Sequence, residues 1–77
     1  MFPAGMNITN VQEIGALIRR RRKMAGFTIA GLAELVPCSP RLLGEVERGT
    51  RNVSLGVVLT LCGLLGIDMH AIPRGES

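Results

Sequence analysis

Arg19, Arg20, Arg21, Arg22 and Lys23 form one unbroken run, the densest concentration of chemistry in this 77-residue chain. Five adjacent cations suit a polyanionic partner, and the whole chain carries a formal charge of +3 with a pI near 9.7. The same run also suits a solvated helix face, and both readings stand at this point. Among polyanions, duplex nucleic acid is expected. There is no Trp or Tyr, and only Phe2 and Phe27 to stack on bases, which disfavours single-strand and RNA-recognition modules. Catalytic chemistry is not expected. The chain shows no nucleophile–base pair, no phosphate-cradling glycine loop and no clustered carboxylates. Cys38, Cys62 and His70 fit no ligand spacing, so neither a metal nor another cofactor is expected. The start, MFPAGMNIT, has neither a basic region nor an apolar run, which leads to the expectation of a reduced, cytoplasmic protein with free thiols.

The elements that must position the cations are short helices. Residues 1–8 hold Pro3, Gly5 and Asn7 and read as a flexible start. A first helix follows from Thr9 or Asn10, with Thr9/Gln12 or Asn10/Glu13 as a capping box. Val11, Ile14, Leu17, Ile18 and Met24 carry it to about Ala25, and Gly26 ends it. Thr28 then caps a second helix along Ile29, Leu32, Ala33 and Val36, and Pro37 stops it. Ser39 and Pro40 restart the chain as N-cap and first helical residue, and Gly49 closes that third helix. Two short helices around so tight a break are what a helix-turn-helix requires, though a helical hairpin in a small bundle has the same outline.

After the polar link at 49–53, Ser54 caps a fourth helix, LGVVLTLCGLL, ending at Gly66. It has one polar residue, Thr60, and an all-round apolar helix must be covered all round. Eleven residues cannot span a membrane. One face is therefore expected against the helix-turn-helix and the other against a second chain, with Val57, Leu61, Leu64, Leu65, Ile67 and Met69 at the homodimer or partner interface. From 67 to 77, the alternation of Ile67, Met69 and Ala71 with Asp68 and His70 suggests a strand pairing with its symmetry mate, or else a frayed tail. The expected architecture is all-α, four to five compact helices over 9–66, with that strand as a possible addition.

Periodicity also implies a buried charge pair. Arg22 lies four residues after Ile18 and seven after Gly15, on the inward stripe of the first helix. Glu47 lies four after Leu43, inward on the third. Buried charges are paired, so Arg22 and Glu47 are expected to meet in a structural salt bridge.

Three stretches carry a family likeness: IRRRRKMAGFT at 18–28, LAELVPCS at 32–39 and LLGEVERGTRNVSL at 42–55. They resemble the lambda-repressor and Cro-like, or Xre-type, helix-turn-helix family over roughly residues 11–67. The stretch PRLLGEVERGTRNVSLGVVLTLCGLLGI is most similar to antitoxins of the HipB type. That resemblance implies a homodimeric repressor that binds a double-stranded DNA operator, autoregulates its operon and restrains a HipA-like kinase toxin. A free-standing Xre-type regulator without a toxin, or a protein-interaction module with weak DNA binding, are the alternatives.

Resemblance and geometry together assign the roles. Arg41, on the outward N-terminal half of the third helix, is the expected base reader, since a guanidinium can bind guanine N7 and O6 together. Glu45 could accept from cytosine N4 or steer neighbouring arginines, and Gly44, with no side chain, could allow close approach or read nothing. Phosphates fall to Thr28, Ser39, Thr50, Arg51 and Asn52, with whichever of Arg19, Arg20 and Lys23 faces the duplex. Pro40 and Arg48 complete the expected DNA-contacting set. Two positions depart from the family pattern. Ile29 stands where glutamine is frequent, and Pro40 stands where a polar residue is common. Specificity would then lean on Arg41, DNA shape and dimer spacing.

Overall fold

A computed structural model describes residues 8–36, 38–50, 54–71 and 73–75. The described chain contains four helices: α1 (Val11–Met24), α2 (Ile29–Leu35), α3 (Pro40–Arg48) and α4 (Leu55–Leu65). Their boundaries follow from capping chemistry. Asn10 accepts the Glu13 backbone N–H at 2.9 Å. Glu13 in turn accepts from the backbone N–H and the hydroxyl of Thr9, each at 2.7 Å. The Thr9 hydroxyl, then the backbone donors, hold the Glu13 carboxyl below its ordinary value. Helix α1 stops one residue earlier than the spacing suggests, because Ala25 is its C-cap and Gly26 turns left-handed with φ 82°. Thr28 caps α2 through the Gly31 N–H at 3.0 Å, and Ser39 caps α3 through the Leu42 N–H at 3.0 Å. Ser54 occupies the N-cap position of α4 but makes no side-chain capping bond, contrary to expectation. Pro37 and most of the expected flexible start lie outside the described residues.

One core joins all four helices. Ile14 and Ile18 of α1 meet Leu32, Ala33 and Val36 from α2 and its cap, Leu43 and Val46 of α3, and Val58, Leu61, Cys62 and Leu65 of α4. Gly15 lets α1 approach α3 closely: an added Cβ would lie 2.8 Å from the Glu47 carbonyl oxygen and closer still to that of Val46. Across the same seam, Gln12 Nε2 donates to the Gly49 carbonyl at 3.2 Å, tying α1 to the end of α3.

The fourth helix corrects part of the interface expectation. Leu61 and Leu65 face inward and are buried in the chain's own core, so they have no surface to give a second chain. Val57 and Ile67 are half-buried against that core, while Leu64 and Met69 remain exposed. Leu55 and Leu59 are exposed as well. Among the described residues, the helix is thus covered on one side only.

The expected C-terminal strand is not present among the described residues; 67–71 are irregular. Ile67 donates to the Cys62 carbonyl at 2.8 Å, closing α4 and turning its side chain back onto the core. Beyond it, Asp68, Met69, His70 and Ala71 are exposed. A strand gains its backbone hydrogen bonds only from a neighbour, and the described residues supply none there.

Candidate nucleic-acid interface

Helix α3 is anchored from behind. Arg22 Nε donates to Glu47 Oε2 at 2.6 Å, and Arg22 Nη2 donates to Glu47 Oε1 at 3.0 Å, a bidentate pair. The third direction of the guanidinium is also satisfied, since Nη1 donates to the Phe27 carbonyl at 2.8 Å. Both residues are 7% exposed. The hydrogen bonding to the Glu47 carboxylate, opposed by burial, raises the Arg22 pKa above its already high ordinary value. One side chain therefore joins α1, the entry to α2 and the inner face of α3.

The outer face of α3 follows from the same anchoring. With Leu43, Val46 and Glu47 turned inward, Arg41, Glu45 and Arg48 share the opposite side at helical spacings of four and three residues. The Arg41 side chain is 88% exposed and that of Glu45 13%, with Arg41 Nε and Glu45 Oε1 paired at 3.5 Å. Arg48 is exposed. Gly44 is buried, and an added Cβ would lie 3.1 Å from Arg48 Nη1. The arginine side chain folds back along the helix over the glycine, so Gly44 makes room for Arg48 and does not present bare backbone.

The hydroxyl groups flank this face. Thr28, Ser39 and Pro40 are exposed. Capping uses an acceptor lone pair of each hydroxyl, which leaves the O–H able to donate to a phosphate oxygen. Thr50, also exposed, donates from its backbone to the Glu45 carbonyl at 3.2 Å and weakly from its hydroxyl at 3.5 Å. Arg51 and Asn52 lie outside the described residues. Ile29 is half-buried and packs against the core, so its apolar side chain is used there.

The basic run is divided by the geometry of α1. Arg22 is buried in the pair with Glu47. Arg21 Nε donates to the Leu65 carbonyl at 3.1 Å, which caps the end of α4. Arg19, Arg20 and Lys23 are exposed. Arg19 and Lys23 lie seven and eleven residues after Gln12, on the side of α1 that reaches α3, whereas Arg20 is turned away from it. The periodicity that located Arg22 could also have found Arg21, but its role needs the position of a distant helix end. Among the described residues, no group of three or more His, Cys, Asp or Glu side chains could hold a metal ion. No described helix is long and apolar enough to cross a membrane.

Two short helices joined tightly, with the second held outward and polar, define a helix-turn-helix. Residues 13–74 match the family model described as a helix-turn-helix domain, and the chain belongs to that family. It is 38% identical over 63 residues to the uncharacterized HTH-type transcriptional regulator YazB of Bacillus subtilis, covering 82% of this chain and 91% of that protein. It is 31% identical over 55 residues to the HTH-type transcriptional regulator RamB of Mycobacterium tuberculosis, covering 71% of this chain but only 12% of RamB. The restriction-modification controller protein C.AhdI of Aeromonas hydrophila is structurally similar, with a TM-score of 0.68 and 36% identity over 75% of this chain and 84% of that one. The clp gene regulator ClgR of C. glutamicum gives a TM-score of 0.69 and 34% identity over 84% and 82% of the respective chains. The relatives support a DNA-binding regulator of the Xre type.

Proposed function

We propose that this chain is a homodimeric, sequence-specific repressor that places the Arg41–Arg48 face of α3 in the major groove of an operator near its own gene. The observation that carries this reading is the outward, cationic face of a helix whose inner side is fixed by Arg22–Glu47. Thr28, Ser39 and Thr50 would meet phosphates beside it, and Arg19 and Lys23 would extend the contact along α1. The exposed leucines 55, 59 and 64 of α4 support a second copy there, which would set the half-site spacing. A gel shift with the DNA upstream of the gene tests the proposal. Binding should weaken steeply as salt rises, and Arg41→Ala should lower affinity for the operator far more than the small loss on random duplex that removing one positive charge brings. Absent or salt-insensitive binding would refute it and favour a protein-interaction module.

The narrower reading makes the chain the antitoxin of a HipA-like kinase. It is supported by the likeness of residues 40–67 to HipB-type antitoxins. It predicts a kinase-like reading frame beside the gene and a complex when both are expressed together. Without such a neighbour the chain is a free-standing regulator.

A further inference from the structure

The pairing on the outer face of α3 bears on how a base would be read. Glu45 has two possible functions in a groove: its carboxylate could accept from cytosine N4, or it could act through Arg41. The two differ in which atoms face outward. The Glu45 side chain is only 13% exposed, while that of Arg41 is 88% exposed, and the contact joins Glu45 Oε1 to Arg41 Nε. A carboxylate so enclosed has little reach toward a base edge. The ion pair engages Nε at 3.5 Å and leaves the Nη1/Nη2 edge out of that contact, and that edge carries parallel N–H donors matching the two acceptors of guanine.

We infer that Glu45 is a positioning residue for specificity: it fixes the Arg41 guanidinium for end-on recognition of guanine and does not itself read a base. The inference rests on the proposal that α3 enters the major groove. Holding the donor fork in advance lowers the ordering cost of the specific contact, whereas phosphate attraction needs no such alignment. Replacing the carboxylate should therefore move specific and non-specific binding in opposite directions.

The test uses the full-length chain, its Glu45→Gln and Arg41→Lys variants, and a pool of duplexes with a randomised core. Sequencing of the bound fraction should give a guanine-containing motif for the unaltered protein. For Glu45→Gln the guanine preference should fall about five- to tenfold. Affinity for random duplex should instead rise about two- to fivefold at low salt, because one negative charge is removed. Arg41→Lys should lose the same preference, since an ammonium lacks the fork. An unchanged guanine preference in Glu45→Gln would overturn the inference, as would a switch at a cytosine position, which would make Glu45 a direct reader. If the unaltered protein enriches no motif, the DNA-binding proposal itself has failed. A DNA-free measurement then still judges the pairing. At neutral pH the Arg41 Nε–H NMR signal should differ between the unaltered protein and Glu45→Gln. A signal indifferent to the substitution would rule the pairing out.

Discussion

Arg22 shows how much one buried side chain can determine. Its guanidinium satisfies Glu47 twice and Phe27 once, and nothing apolar of similar shape could join those three points. Replacing Arg22 with methionine leaves the Glu47 carboxylate buried and unpaired, so stability in urea should fall by about 3–5 kcal/mol. Replacing both residues, Arg22→Met with Glu47→Leu, should recover much of that loss, because the cost comes from the unpaired charge and not from missing attraction. The cysteines make a different prediction. Burial raises the Cys38 and Cys62 thiols above the ordinary value of 9.0, so folding favours the protonated form. Their contribution is intact below that value and is lost as pH rises through the folded-state pKa. Thermal unfolding followed against pH should show Tm declining on the alkaline side, with a shallower decline in Cys62→Ala. An equal slope in both proteins would assign the decline to other groups.

At the scale of elements, two glycines inside helices should respond in opposite directions. Alanine is favoured over glycine in a helix by about 0.5–1 kcal/mol. At Gly15 that gain is overridden, because the new methyl would press on the backbone of α3. Gly15→Ala should therefore destabilise by about 1–3 kcal/mol in chemical denaturation, as overpacking does. At Gly63 nothing lies within 4 Å of an added Cβ. Gly63→Ala should stabilise the isolated chain by the full helix preference, and it should weaken self-association if a second copy packs closely on that face. The caps were readable directly, since Asn10, Thr28, Ser39 and Gly49 each sit where a helix end needs them. Gly15 was not readable in the same way. A glycine mid-helix looks like a weakness until the partner helix is in view.

For the whole molecule, the open question posed by α4 is a matter of area. Leu55 and Leu59 lie along one edge, and Leu64 along the other, of the half of α4 that the described residues leave exposed, and apolar surface of that kind favours association. Sedimentation velocity should give a dimer that Leu59→Glu converts to monomer without altering the helical circular dichroism. A monomer throughout the accessible concentration range would remove the proposed interface. The sequence by itself determined the four helices, the helix-turn-helix spacing and the inward registers of Arg22 and Glu47. All of these depend on capping residues, proline, and a 3.6-residue period, which act within a few residues. The tertiary structure decided which side of α4 is covered, making Leu61 and Leu65 core and leaving Leu55 and Leu59 outside. It also replaced the expected strand with irregular chain and divided five adjacent cations among capping, pairing and exposed positions. Those outcomes depend on where distant backbone atoms come to rest, and a local period carries no information about that.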